Sequence, residues 1–197
     1  MELKLLLQIV GIVLGLLYLW LEYRADIRLW IVGLIMPCVH GTLYFTAGLY
    51  ADSAMQLYYI LAGLYGWVIW RKGTSRNKAC KHHAISHTPY TLWPLLIAVY
   101  GVLHLALYLA LRYLTDSTVP FFDAMTTALS MVAMWMLSRK FVEQWLIWAL
   151  VDLLTVGLYL YKEIPLTAAL YALYTVLAFV GWLRWRRQAK AVIQSAA

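Results

Sequence analysis

The chain has 197 residues, 64% of them hydrophobic and 13% charged, with a mean hydropathy of +0.72, against roughly 45–50% apolar and 25% charged residues in an average soluble domain. That composition excludes a water-soluble globule and points to helices that cross a bilayer, each needing about 20 apolar residues. The formal net charge of +7 sits in the connections between apolar stretches, where it marks the cytoplasmic face rather than a nucleic-acid partner.

Apolar runs between charge clusters predict seven helices, over residues 4–22, 28–47, 53–70, 91–112, 120–138, 141–161 and 165–184. The connections are too short for an ATP-hydrolysing domain, and no G-x-x-x-x-G-K-[ST] motif occurs. The first run lacks a basic lead and a small-residue cleavage site, so it is expected to remain as a helix. Helix two carries Pro37, expected to kink it and free carbonyls toward a cavity, and His40 one turn later. Helix three places Gln56, Tyr59, Gly63, Trp67 and Trp70 on one face. The loop over 71–90 holds His82, His83 and His87, read as solvated residues of a basic linker rather than metal ligands. Cys38 and Cys80 lack C-x-x-C spacing, so neither a disulfide framework nor a zinc site is expected. Helix six carries Trp145, Trp148, Asp152, Thr155 and Tyr159, and helix seven Tyr171, Tyr174, Ala178, Trp182 and Trp185.

The segments 24–28, 71–81, 139–140 and 184–190 hold thirteen basic residues, against Lys4, Arg112 and Lys162 on the other side. The positive-inside rule therefore predicts the N-terminus outside and the C-terminus inside. Sliding the sequence against itself aligns GWVIWRK from Gly66 with GWLRWRR from Gly181, at an offset of 115 residues. At that offset Trp20 meets Trp135, Arg24 meets Arg139, Trp30 meets Trp145 and Tyr59 meets Tyr174. The chain is thus expected to be one transmembrane domain, 1–197, with repeat one over 1–72, a linker helix near 91–112 and repeat two over 116–187. A four-helix offset returns equivalent helices to the same direction, a parallel 3+1+3 repeat.

Trp30, Trp70, Trp145 and Trp185 lie near helix ends and are expected to form interfacial aromatic belts. Tyr59, Trp148 and Tyr174 lie deeper, where either core packing or a stacking surface for a ring-shaped ligand would account for them. Asp152 stands midway along helix six, where an ionised carboxylate costs about 2.5–3.5 kcal/mol on insertion scales. Either hydrogen bonds to His40, Thr155 or a tyrosine offset that cost, or Asp152 serves as counter-charge to a cationic substrate or as a proton relay. Aromatic rings around a carboxylate suit a flat aromatic cation, at about 0.5–2 kcal/mol per ring.

G-L-Y-A-D-S-A-M-Q-L-Y-Y-I-L-A-G-L-Y-G-W-V-I-W over 48–70 and A-L-S-M-V-A-M-W-M-L-S-R-K-F-V-E-Q-W-L-I-W over 128–148 resemble the Pnu family of vitamin uptake proteins. The resemblance implies an all-α, SWEET-like 3+1+3 membrane fold in the bacterial inner membrane. It also implies facilitated diffusion of a B-vitamin precursor, trapped by cytoplasmic phosphorylation, and places Gln56, Trp67, Trp70 and Trp148 at the substrate. Riboside-carrying members tend to have asparagine where this chain has Met36, Gly63 and Asp152, so nicotinamide riboside and thiamine both stand as expected substrates. The expected substrate site is Gln56, Tyr59, Trp67, Trp148, Asp152, Tyr171, Tyr174, Trp182 and His40, with no catalytic residue, metal or cofactor. A proton-coupled carrier using Asp152 and His40 is the alternative. An intramembrane enzyme would need a Ser/His, H-E-x-x-H or paired-Asp constellation, which the helices lack. Homo-oligomerisation stays open, because Gly11 and Gly15 satisfy G-x-x-x-G spacing without marking an interface.

Overall fold

Long apolar runs with few helix breakers form α1 (Glu2–Tyr23), α2 (Arg28–Thr46), α3 (Tyr50–Ser75), α4 (Trp93–Leu114, after a 3-10 turn at Tyr90–Leu92), α5 (Pro120–Ser138), α6 (Gln144–Tyr161) and α7 (Pro165–Gln194). The computed structural model describes residues 2–46, 50–75, 84–115, 118–161, 163 and 165–194, with side chains except at 2–11, 36, 39–46, 50–55, 73–75, 166, 192 and 193. By length and composition, Tyr90–Leu114, Pro120–Ser138, Gln144–Tyr161 and Thr167–Ala191 can each cross a membrane, and α1 contributes an apolar stretch over Ile12–Tyr23. Helix α7 runs ten residues past the expected end at 184, because R-W-R-R-Q-A-K ends the apolar run but is made largely of good helix formers.

The chain divides into two compact units, Met1–His83 and Ala84–Ala197. In the first, α2 packs on α1 and α3. The α1–α2 turn passes through Ala25 at φ 52°. Asp26 closes that turn by accepting the Arg28 backbone N–H at 2.9 Å and its guanidinium at 2.7 and 3.1 Å. The Arg28 hydrogen bonds hold the Asp26 carboxyl below its usual range.

In the second unit α5 packs on α4 and α6, and α6 on α7. Ala124, Ala128 and Ala133 of α5 are fully buried, the small residues that let neighbouring helices approach closely. Beside them Leu96, Val132 and Met136 form a core ringed by Tyr100, Trp135, Phe141 and Ile147. Hydroxyls within the helices are satisfied locally: Ser130 donates to the Thr126 carbonyl at 2.8 Å and Thr155 to that of Val151 at 2.7 Å, as a medium without water requires.

The α5–α6 turn corrects one expectation and adds a contact that the sequence does not show. Helix α6 begins at Gln144 rather than 141, because Lys140 takes φ 57° and Phe141 enters a parallel bridge with Ser86. Ser86 donates to the Lys140 carbonyl at 3.2 Å and accepts from the Val142 N–H at 3.0 Å. His87 is exposed, as expected of a loop residue, and also bonds through Nδ1 to Glu143 Oε1 at 2.6 Å, while the Thr88 N–H and hydroxyl donate to Oε2 at 2.8 and 2.7 Å. The partners are 55 and 56 residues apart, which no local pattern reveals. His82, His83 and Cys80 lie outside the described residues.

Burial raises the Glu143 pKa, but the bonds from His87 and Thr88 outweigh it and leave the carboxyl below its ordinary 4.5. A depressed carboxylate pKa stabilises the fold above the ordinary value, and that contribution is lost as pH falls through the lowered one. Glu143→Gln is therefore expected to cost about 1.5–3 kcal/mol at neutral pH, the worth of hydrogen bonds to a charged group. The gap from wild type should close as the pH falls through the lowered pKa, read from thermal unfolding midpoints at neutral and at acid pH. An equal gap at both would show that the carboxylate's charge contributes nothing to this clip.

Three local geometries recur 115 residues apart. The positive-φ turn residues are Ala25 and Lys140. Trp30 meets Trp70 edge-on at 5.6 Å and 89°, and Trp145 meets Trp185 at 5.7 Å and 87°. A Cβ on Gly181 would lie 2.7 Å from the Trp145 ring, and one on Gly66 would run into the ring of Trp30. Each glycine thus makes room for a neighbouring helix's indole.

The belt expectation for these four tryptophans is overturned, since all are at most 3% exposed. A position near a helix end does not set depth when the facing helix offers a glycine-floored slot.

Candidate functional site

The sequence-predicted residues fall into two groups, one in each unit. In the first, Gln56 and Tyr59 are half-buried on α3, and Tyr59 meets Tyr58 edge-on at 5.5 Å. Trp67, two turns further, is half-buried with the Arg71 guanidinium 5.1 Å above its ring. His40 belongs to α2, but its side chain lies outside the described residues.

The second group is better defined. Trp148 and Asp152 stand four residues apart and so share one face of α6. Asp152 is 8% exposed, and Tyr174 of α7 is near enough to feel its charge. Tyr171 stacks on Tyr159 of α6 at 5.5 Å and 19°, and meets Tyr174 edge-on at 5.7 Å. The α6–α7 interface therefore carries a row of tyrosine rings that ends beside a buried carboxylate. Trp182 stands two turns beyond Tyr174, half-buried, with Arg186 5.1 Å above its ring.

Among the described residues nothing hydrogen-bonds to Asp152. Thr155, one of the partners considered for it, spends its hydroxyl on the Val151 carbonyl. The Trp148 indole N–H is likewise buried without a hydrogen-bond partner among the described residues. A buried carboxylate and a buried N–H on one helix face, both lacking hydrogen-bond partners among the described residues, are costly unless something else meets them. A ligand with a positive ring and a hydrogen-bond acceptor would satisfy both.

Tyr159 lies outside the expected site, although it falls opposite Tyr44 at the 115-residue offset; its stacking on Tyr171 is a contact between helices that the sequence does not show. An apolar cavity of about 460 Å³ between α5 and α6 is lined by Val119, Phe122, Leu153, Leu154, Gly157, Leu158 and Tyr161. None of the expected site residues borders it, and it offers a charged or hydrogen-bonding ligand little to hold.

The nicotinamide mononucleotide transporter family model matches residues 5–187. The nicotinamide riboside transporter PnuC of Escherichia coli (strain K12) is 27% identical over 206 residues, covering 93% of this chain and 86% of that protein. The riboflavin/roseoflavin transporter RibM of Streptomyces davaonensis is 30% identical over 193 residues, covering 95% and 89%. A crystal structure of the vitamin B3 transporter PnuC matches with a TM-score of 0.68 at 24% identity, over 92% of this chain and 81% of that one. At that identity the structural likeness speaks for the fold.

Proposed function

The chain belongs to the nicotinamide mononucleotide transporter family, and from that membership we propose that it is a membrane transporter for uptake of a B-vitamin precursor, with nicotinamide riboside its first substrate. The observation that carries the substrate reading is the buried Asp152 beside the tyrosine row of α6 and α7. A pyridinium ring is a flat cation, for which a carboxylate and aromatic faces are the matching chemistry. The residues proposed to bind substrate are His40, Gln56, Tyr59, Trp67, Trp148, Asp152, Tyr171, Tyr174 and Trp182. No metal or cofactor enters the scheme, and the function is transport rather than catalysis.

The wider scheme is seven membrane-crossing helices in a parallel 3+1+3 repeat, N-terminus outside, in the bacterial inner membrane. Support for the repeat comes from the paired geometries at an offset of 115 residues: the two tryptophan pairs, the two glycine slots and the two positive-φ turns. Transport is by facilitated diffusion, and cytoplasmic phosphorylation keeps the substrate inside. Two further substrates belong in the test. Riboflavin is favoured by the 30% identity to RibM, and thiamine shares the flat cationic ring.

Purified protein in proteoliposomes is expected to take up labelled nicotinamide riboside until concentrations are equal on both sides, with riboflavin and thiamine slower. Preference for either competitor would replace the substrate. Accumulation above equilibrium under an imposed pH gradient would replace facilitated diffusion with proton coupling through Asp152 and His40.

A further inference from the structure

Tyr159 of α6 and Tyr171 of α7 lie nearly parallel, 19° apart with ring centroids at 5.5 Å, whereas Trp145 and Trp185, toward the other end of the same two helices, meet edge-on at 87°. Tyr159 stands in the last turn of α6 and Tyr171 in the second turn of α7, and both are half-buried. Tyr159 lies seven residues past Asp152, two turns further on the same helix face and about 10 Å along the axis. Rings therefore run without a break from the end of α6 toward the carboxylate: Tyr159 on Tyr171, Tyr171 on Tyr174, and Tyr174 near enough to Asp152 to feel its charge. The 115-residue offset sets this stack apart from the packing devices of the fold. The tryptophan pairs and glycine slots recur in both units, but the counterparts of Tyr159 and Tyr171 are Tyr44 and Gln56. Glutamine has no ring, so the first unit cannot build such a pair at these positions.

We propose that Tyr159 and Tyr171 form an aromatic gate over the path to Asp152, opened when the flat ring of the substrate takes the place of one tyrosine against the other. The gate rests on the reading of Asp152 as a substrate contact, and in the proposed orientation it is the outer one. A parallel pair suits that exchange, because one ring face is replaced by another in the same offset stacking. An edge-on pair would first have to be turned. The helices themselves are tied together at this end. Helix α6 stops at Tyr161 and α7 starts at Pro165, while Glu163 between them takes φ 57° and donates its N–H to the Leu160 carbonyl at 3.1 Å. Opening is therefore a swing of half-buried side chains, which is fast, rather than a parting of helices.

The test is the rate at which Asp152→Cys, in a Cys38→Ser/Cys80→Ser background, reacts with a membrane-impermeant methanethiosulfonate in nanodiscs. Removing the stack in Tyr159→Leu, or independently in Tyr171→Leu, is expected to speed labelling about 2- to 10-fold, the worth of one aromatic pair. Tyr159→Phe keeps the ring and should label no faster than the protein with Tyr159. An Ala133→Cys reporter, at a fully buried position of α5, should stay unreactive in Tyr159→Leu, since an open gate leaves the core shut. Equal labelling with and without the Tyr159 ring, a phenylalanine variant as fast as the leucine one, or an Ala133→Cys reporter that also becomes reactive would each overturn the gate. With Asp152 restored, Tyr159→Leu should speed binding and release of nicotinamide riboside by equal factors and leave its Kd unchanged. A weakened Kd would make Tyr159 a binding residue and overturn the gate. If nicotinamide riboside fails to bind the wild type, the substrate reading falls, and the labelling rates still decide the gate.

Discussion

Gly181→Ala is expected to destabilise the protein by about 1–3 kcal/mol, the cost of forcing atoms into a packed core, or a drop of roughly 3–10 °C in midpoint. Helix propensity alone predicts the opposite sign, since alanine in a helix interior is favoured over glycine by about 0.8–1 kcal/mol. Geometry decides the balance. The new Cβ would sit 2.7–2.8 Å from three atoms of the Trp145 ring, a rigid plane 1% exposed and already set edge-on against Trp185. Gly66→Ala should behave the same way against Trp30. Gly101→Ala on α4 is the internal control, because a Cβ there meets nothing within 4 Å, and it should be neutral or slightly stabilising. Trimming the ring in Gly181→Ala/Trp145→Phe should cost less than the two single changes added together. A Gly181→Ala protein that melts with or above the wild type would show that the indole does not occupy this slot.

Asp152→Asn is expected to weaken nicotinamide riboside about tenfold, the loss of roughly 1.4 kcal/mol of attraction between a carboxylate and a pyridinium ring. Asparagine keeps the shape and removes the charge, so a neutral isoalloxazine such as riboflavin should bind the variant as it binds the wild type. That contrast separates a counter-charge from a structural aspartate, whose loss would lower stability and depress both ligands together. Trp148→Ala makes the complementary prediction. It removes a ring face and the buried N–H, and should weaken both ligands by about 3- to 30-fold with expression retained, since the ring is only half-buried. Equilibrium binding to purified protein reads both. Wild-type affinity for the cation in Asp152→Asn would remove Asp152 from the site.

One-dimensional signals account for much of this protein. Composition and run length mark a membrane chain and locate its helices, because the hydrocarbon thickness sets the run length. Self-alignment exposes the register of 115 residues at which Trp30/Trp70 and Trp145/Trp185 later take the same edge-on geometry. Asp152 stands out because a carboxylate amid an apolar run is costly wherever its helix is placed.

Depth and partnership were decided only in three dimensions. Nothing along α2 or α6 distinguishes Trp30 and Trp145, which are buried, from Trp20, which is 48% exposed. The difference is a glycine on the facing helix, visible only once α2 packs on α3 and α6 on α7. His87 and Glu143 likewise have no local reason to meet until Ser86 bridges Phe141 and brings them together. Periodicity reports which face of a helix a residue occupies, whereas burial and hydrogen bonding depend on the element opposite, and only the folded chain supplies it.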